Sequence, residues 1–301
     1  MSRGRSGALA GVAVCVALGA LATGLLQSDP TSPGELPAPV AGRKVPTAPP
    51  ALVHLSIAGD TGTGDAAQEA TGQQMTEQAR TTGPYDALLL LGDLVYEDGD
   101  PERVDDAVTG PFGDLLADGT TLLPVLGNHD YASGEQARIM DSLGQDATWY
   151  VTDIGQLRII VLDTERTDDP HQTAWLEATL ATAQPPGTWT IAAMHKPAYS
   201  AGFHGSDLDV RSRWVPLFEQ YDVPLVLAGH DHDYQRSRTI NDVTYVVSGA
   251  GAKLRPTGHA DFTAVSTSTR HFIDMLVYDN RMMLRAIDQE GRLVDRFTIT
   301  R

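Results

Sequence analysis

Runs of apolar residues alternate with stretches of helical periodicity along most of the chain. Four leucines in succession, Leu88 to Leu91, form the centre of one such run. Short apolar runs predict buried strands, and apolar residues spaced three or four apart predict helices. The predicted strands of the first part are 52–59, 87–92, 121–127, the hairpin 149–163, 188–194 and 224–229, and the predicted helices are 65–80, 101–118, 134–143, 171–183 and 207–221.

Beyond residue 230 the pattern changes to strands alone. The predicted strands of this part are 243–248, 272–278, 282–288 and 293–299. Asp279-Asn280 and Glu290-Gly291 are turn signals between the last three of them. A βαβα part followed by a β-rich part predicts the α/β class, with two packed mixed β-sheets flanked by helices in an α/β/β/α sandwich.

The N-terminal segment differs in character from the rest. Residues 2–5 are Ser-Arg-Gly-Arg, and residues 8–26 are uncharged and almost wholly apolar or small. A basic start before an apolar stretch is typical of a secretory signal, and the length also suits an uncleaved membrane anchor. We therefore predict a signal peptide or N-terminal anchor over 1–27, a Pro-rich linker over 28–50 and a folded domain over 51–301, secreted or otherwise outside the cytoplasm. Any membrane contact is expected through residues 8–26 only.

The chain is strongly acidic. It has 39 Asp and Glu residues against 22 Lys and Arg residues, a formal net charge of −17. Such a surface repels phosphate backbones, so we expect no nucleic-acid partner. A site that binds phosphate must then supply its own positive charge, and metal ions can do so.

Polar side chains follow five of the predicted strands at the point where each strand ends. These strand ends read Gly59-Asp60-Thr61-Gly62, Gly92-Asp93-Leu94-Val95-Tyr96, Gly127-Asn128-His129-Asp130, Met194-His195-Lys196-Pro197 and Gly229-His230-Asp231-His232-Asp233. Ligands of open α/β sheets bind beyond the carboxyl ends of the strands. The pattern therefore predicts one site built from all five strand ends.

Seven of these side chains are potential metal ligands, namely Asp60, Asp93, Tyr96, Asn128, His195, His230 and His232. Seven ligands are too many for one ion and suit two ions that share a ligand, about 3.5–4 Å apart. The only cysteine, Cys15, lies in the apolar N-terminal stretch, which excludes a thiolate zinc site in the folded domain.

The order Gly-Asp, Gly-Asp-x-x-Tyr, Gly-Asn-His, His and Gly-His-x-His resembles the calcineurin-like metallophosphoesterases, and most closely the small single-domain purple acid phosphatases. The resemblance covers residues 52–250. Most metallophosphoesterases have Asp-x-His in the first motif, whereas this chain has Asp60-Thr61-Gly62 and gains Tyr96 in the second. That exchange is the purple acid phosphatase pattern.

The resemblance implies two metal sites that share Asp93. It assigns Asp60, Asp93, Tyr96 and His232 to one ion, and Asp93, Asn128, His195 and His230 to the other. Anionic oxygens favour Fe(III) in the first site, provided that Tyr96 is ionised. The neutral amide and two imidazoles of the second suit Fe(II), Zn(II) or Mn(II).

The resemblance also implies an acid phosphatase that hydrolyses small phosphomonoesters by attack of a metal-bound hydroxide. His129 and His204 match family histidines by position and are the candidate general acids and phosphate contacts. Lys253 and Arg255 follow the Gly249-Ala250-Gly251 segment. The sequence is equally consistent with contact to the substrate and with exposure to solvent.

Two other functions fit the same residues. A phosphodiesterase or nucleotidase of the same superfamily would differ mainly in loops such as 97–113 and 198–211. An iron-dependent redox or oxyanion-binding protein would use the metals without hydrolysis. The sequence indicates no oligomeric state.

Overall fold

A computed structural model describes residues 50–301 of the chain. The predicted signal or anchor at 1–27 and the predicted linker, up to residue 49, lie outside the described residues. The strands are β1 (Val53–Ala58), β2 (Ala87–Leu91), β3 (Thr121–Val125), β4 (Tyr150–Ile154), β5 (Leu157–Val161), β6 (Trp189–Ala193), β7 (Leu225–Ala228), β8 (Tyr234–Ser237), β9 (Thr244–Ser248), β10 (Thr263–Thr267), β11 (His271–Tyr278), β12 (Arg281–Asp288) and β13 (Leu293–Thr300). The α-helices are α1 (Ala66–Thr82), α2 (Gly113–Ala117), α3 (Gln136–Ser142), α4 (Pro170–Ala181), α5 (Leu208–Arg213) and α6 (Val215–Gln220).

The strands form two mixed sheets. The first has the order β13-β12-β11-β1-β2-β3, with β1, β2 and β3 parallel and β11 antiparallel to β1. The second has the order β10-β8-β9-β7-β6-β5-β4, with β5, β6, β7 and β9 parallel. The predicted fold class of two packed mixed sheets with helices is confirmed.

The main core lies between the two sheets. Ile57, Leu89 and Leu91 of the first sheet pack there against side chains such as Ile191 and Leu227 of the second. The alternate side chains of β2 face the helices that cover the first sheet. A strand with both faces buried needs an apolar residue at every position, which explains why four leucines follow one another.

The second sheet is covered on its outer face by α4, α5 and α6. Leu176 of α4 and Val210 of α5 pack there with Trp214 and Phe218. The polar residues of the five predicted strand ends follow the carboxyl ends of β1, β2, β3, β6 and β7. All the predicted ligands therefore lie at the same edge of the sandwich.

Two predicted helices are broken in the structure. The segment predicted as one helix over 101–118 is a 3₁₀ turn at Pro101–Arg103, a π turn at Asp105–Thr109 and the short α2. The segment predicted over 207–221 divides at Trp214 into α5 and α6, because Pro216 cannot continue the hydrogen-bond ladder of the preceding turn.

Two strands, β8 and β10, were not predicted. Both are short and carry polar residues, and β10 lies at the edge of its sheet. The predicted hairpin of β4 and β5 and the last three predicted strands are confirmed. None of the helices within residues 50–301 combines the length and apolar character that a membrane crossing requires.

Candidate metal centre

Three strands of the first sheet and two of the second deliver polar side chains to one place. Each side chain follows its strand within three residues: Asp60 after β1, Asp93 after β2, Asn128 after β3, His195 after β6 and His230 after β7. Tyr96 and His232 follow a few residues later on two of the same loops. The structure thus brings all seven predicted ligands together.

Asp60, Tyr96 and His232 form one set of donors, which we call the tyrosine group. The Tyr96 hydroxyl oxygen lies 3.1 Å from Asp60 Oδ1 and 3.2 Å from His232 Nε2. His232 Nε2 lies 3.4 Å from Asp60 Oδ1. Two ligand atoms that each lie about 2.0–2.2 Å from one ion are about 3.0–3.5 Å apart, so this triangle has the size of a metal site.

Asn128, His195 and His230 form the second set, which we call the histidine group. His195 Nε2 lies 3.2 Å from Asn128 Oδ1 and 3.2 Å from His230 Nδ1. The same nitrogen lies 3.4 Å from Asp93 Oδ1. The Nδ1 atom of His195 is 2.8 Å from the carbonyl oxygen of Leu91, which fixes its proton there and leaves the Nε2 lone pair for a ligand.

Asp93 connects the two groups. Besides its approach to His195, its carboxylate offers an oxygen that lies within 4.8 Å of ligand atoms of Asp60 and His232. The backbone N–H of His129 donates to Asp93 Oδ1 at 3.0 Å. The carboxylate is therefore oriented by the backbone and lies between the two groups.

Three of the ligand residues have left-handed backbone conformations. The φ angles are 58° at Asp60, 53° at Asp93 and 71° at His230. Such conformations are uncommon outside glycine, and they concentrate at functional sites where the surrounding structure holds them. The sharp turn directs each side chain out of its strand and into the centre.

Glycine 92 allows the close approach of the second sheet. Its φ is +92°, and a Cβ at this position would lie 2.4 Å from His195 Nδ1. We expect Gly92→Ala to displace the His195 ring, to lower the free energy of unfolding by about 1–3 kcal/mol and to reduce metal bound at the histidine group. Denaturant unfolding and metal content per chain measure both effects.

Gly119→Ala is the matched control for that substitution. Gly119 also has a φ of +92°, but a Cβ there meets nothing within 4 Å. It should lose stability through backbone strain alone and keep its metal content. If both variants bind metal equally, the close packing of Gly92 on His195 is not needed for the centre.

The pKa shifts of the donor side chains suit a site that binds a cation. Burial raises the pKa of Asp60 well above its usual value, although His195 opposes this effect. Burial lowers the pKa of His230 to about 2 and that of His232 to about 4, so both imidazoles are neutral and have lone pairs available. Burial, and then the charges of Asp60 and Asp93, raises the pKa of Tyr96. Bound cations reverse this pattern by favouring carboxylate and phenolate.

Two buried aspartates next to the predicted ligands, Asp130 and Asp231, hold the loops in place, a role that the motifs alone do not predict. Asp130 accepts hydrogen bonds from the backbone N–H groups of Leu94 (3.1 Å), Val95 (2.9 Å) and Gly127 (2.7 Å). It thereby joins the loop after β2 to the loop after β3. In the sequence, the acidic residue directly after Asn128-His129 could have indicated this role. The N–H groups that donate to it are known only from the fold.

Asp231 has the same function for the loop that carries His204. It lies between His230 and His232 and accepts hydrogen bonds from the backbone of His204 at 2.7 Å and of Gly205 at 3.2 Å. The Ser200 hydroxyl also donates to it. The position of His204 therefore depends on the loop that carries His230 and His232.

His129 and His204 each pack against a different donor group. The His129 ring packs against the Tyr96 ring with centroids 4.6 Å apart, and the His204 ring packs against the His230 ring at 4.3 Å. His129 Nδ1 donates to the carbonyl oxygen of Glu97 at 2.5 Å. His204 Nε2 accepts from Arg255 Nη1 at 2.8 Å. Both predicted histidines thus contact the donor groups.

Comparisons with known proteins agree with this arrangement. The family model described as calcineurin-like phosphoesterase matches residues 54–234. An uncharacterized protein of Mycobacterium tuberculosis is 34% identical over 109 residues, which are 31% of this chain and 21% of that protein. Tartrate-resistant acid phosphatase type 5 of Mus musculus is 29% identical over 249 residues, which are 70% of this chain and 76% of that protein. The chain thus spans about a fifth of the first relative and three quarters of the second.

Two solved structures have the same fold. GAP50, the anchor in the inner membrane complex of Plasmodium, superposes with a TM-score of 0.73 at 15% identity, covering 82% of this chain and 88% of that one. The purple acid phosphatase PPD1 of yellow lupin superposes with a TM-score of 0.69 at 20% identity, covering 84% of this chain and 54% of that one. At such identities the two likenesses establish the fold alone.

Proposed function

The chain belongs to the calcineurin-like phosphoesterase family, and from this premise we propose that it is a metal-dependent acid phosphatase of the purple acid phosphatase type, acting on small phosphomonoesters. The observation that carries this proposal is the position of Tyr96. Its hydroxyl oxygen lies within 3.2 Å of both Asp60 Oδ1 and His232 Nε2, at the distances expected of ligands of one ion. A tyrosine in the second motif is the feature by which this chain resembles the purple acid phosphatases more than other metallophosphoesterases.

We propose Fe(III) for the tyrosine group together with Asp93. Two carboxylates and an ionised phenol offer hard anionic oxygen, which suits a trivalent ion. The histidine group, with the same Asp93, offers an amide and two imidazoles and suits Fe(II), Zn(II) or Mn(II). Two ions held there would polarise a phosphate ester and lower the pKa of a water molecule.

His129 is the better placed of the two histidines to supply a proton to the leaving oxygen. Its Nδ1 proton is committed to the Glu97 carbonyl, since a carbonyl oxygen can only accept. Its Nε2 atom is therefore the nitrogen that can carry and release a second proton. The ring packs on Tyr96, so this nitrogen is held close to the tyrosine group.

His204 is better suited to hold the phosphate. A guanidinium can only donate, so His204 Nε2 accepts from Arg255 and has no proton of its own in that bond. Burial, with a smaller contribution from Arg255, lowers the pKa of His204. His204 and Arg255 thus form a pair beside His230 that we expect to orient the substrate and to offset its negative charge.

Tyr96→Phe tests the subgroup. We expect the iron-loaded protein to show a visible charge-transfer band from phenolate to Fe(III), and the band to be lost in Tyr96→Phe while most of the fold remains. Tyr150→Phe is the control, because the Tyr150 hydroxyl donates to the carbonyl of Pro124 and not to the centre. A colourless native protein that binds two metals would remove Tyr96 as a ligand, and a divalent phosphodiesterase would then be the better assignment.

Substrate type is tested separately by rates on a matched monoester and diester of the same phenol. We expect the monoester to be hydrolysed faster, and a preference for the diester would overturn this part of the proposal.

We further propose that residues 51–301 are the catalytic domain and work outside the cytoplasm, on the basis of the basic residues 2–5 and the apolar stretch 8–26.

A further inference from the structure

A cavity of about 490 Å³ adjoins the tyrosine group. Tyr96 and His232 line one side of it, so it is continuous with the centre at which the ester bond would be broken. The cavity is open to solvent and is mainly polar. Arg255, the partner of His204, also borders it, and the other cationic side chains of its lining have no role in the centre described above.

Four cationic side chains converge on this cavity from three separate segments. Arg103 comes from the 3₁₀ turn after the Tyr96 loop, Lys253 and Arg255 from the loop after β9, and Arg270 from the residue before β11. The carboxylates that line the cavity are those of two residues, Asp65 and Glu97. The lining therefore carries a formal surplus of two positive charges in a chain with a net charge of −17.

Both carboxylates are already engaged. Asp65 caps helix α1 by accepting from the backbone N–H groups of Ala67 at 3.0 Å and Gln68 at 3.2 Å. Glu97 pairs with Lys253 at 2.5 Å, and the Lys253 ammonium lies 3.6 Å above the Tyr96 ring. Glu97 is highly exposed, so an incoming anion can replace it as the partner of Lys253.

The arginines are fixed by the backbone and keep donors to spare. Arg103 donates to the carbonyl oxygens of Tyr96 and Thr63, and Arg270 donates to that of Ala252. A guanidinium has five N–H donors, so each retains at least three. Fixed guanidinium groups lose little entropy when they bind a phosphate, which they can contact through two parallel hydrogen bonds.

We propose that this cavity is a subsite for a second phosphate group of the substrate. The proposal rests on the proposed phosphatase function and narrows its substrate class to organic bisphosphates, in which one phosphate lies at the donor groups and the other in the cavity. The acidic surface repels such substrates in general, and a local cluster of cations opposes that repulsion at the entrance to the site.

The test compares fructose 1,6-bisphosphate with fructose 6-phosphate, which share one sugar and differ by one phosphate. In Arg270→Gln we expect kcat/KM for the bisphosphate to fall about tenfold to 100-fold through a higher KM, as for the loss of a charge-assisted hydrogen bond. The value for the monophosphate should stay within about twofold. Arg296→Gln is the matched control, because it makes the same charge change on the exposed β13.

An equal loss on both substrates, or no loss on the bisphosphate, would overturn the subsite. If the unaltered chain hydrolyses neither sugar phosphate nor the phenol monoester, the proposed function has failed, and calorimetric titration with fructose 1,6-bisphosphate decides the subsite alone. Weaker binding in Arg270→Gln but not in Arg296→Gln supports it, and equal binding in all three proteins contradicts it.

Discussion

Asp93→Asn is expected to lose at least about 10³-fold in turnover of a phosphomonoester, together with most of the bound metal. Asp93 approaches His195 Nε2 at 3.4 Å and also lies within 4.8 Å of ligand atoms of Asp60 and His232, so it serves both donor groups. An amide keeps the shape but removes the shared negative charge. Losing about 4 kcal/mol of electrostatic stabilisation corresponds to that factor in rate.

The measurement is metal content per chain and kcat on the same sample. Asp163→Asn is the control, since Asp163 is also a buried aspartate at the end of a strand, β5, but accepts from Tyr131 and Glu165 instead of joining the donor groups. It should keep two metals and its activity. If Asp93→Asn keeps two metals and near-normal turnover, Asp93 is not a bridging ligand.

His129→Ala is expected to lower kcat by about 10²–10⁴ on an alkyl phosphate, which is the range for loss of a general acid. The loss should be much smaller for an ester of an acidic phenol, because that leaving group departs without a proton. The dependence on leaving group separates proton donation from a general disturbance of the site. Metal content should be unchanged, since His129 contributes its backbone N–H to Asp93 and that group remains.

His204→Ala provides the contrast. Its Nε2 atom is occupied by the Arg255 guanidinium, so we expect a loss of about tenfold, chiefly in KM and with no dependence on the leaving group. His171→Ala, on the exposed start of α4, is the neutral control. A larger, leaving-group-dependent loss in His204→Ala than in His129→Ala would reverse the two assignments.

The strand ends could be predicted because the pattern that marks them lies within a few consecutive residues. A buried strand must be apolar along its length, and a carboxylate or histidine directly after it, with glycine before, marks the point where the chain reaches the rim. Parallel strands end at the same edge, so Asp60, Asp93 and Asn128 had to meet once their strands paired. The addition of His195 and His230 required the second sheet to present its strand ends at the same edge, as the pattern of five polar strand ends predicted.

The helices were harder to delimit for an equally local reason. Periodicity over 101–118 and 207–221 indicates a helix, but it does not show that the first segment forms 3₁₀ and π turns or that Pro216 divides the second. The short polar strands β8 and β10 have no apolar run to reveal them. They are held by strand pairing, β8 with β9 and β10 with β8.

The class of fold followed from the sequence alone, which also predicted the set of donor side chains and the gain of Tyr96 in the second motif. The tertiary structure alone decided which donors share an ion-sized space, that Asp130 and Asp231 hold the loops, and that Arg103, Lys253, Arg255 and Arg270 border one cavity. The physical reason is distance along the chain. Apolar periodicity and turn residues act between near neighbours, whereas hydrogen bonds and charges act between whichever groups folding brings within a few ångströms.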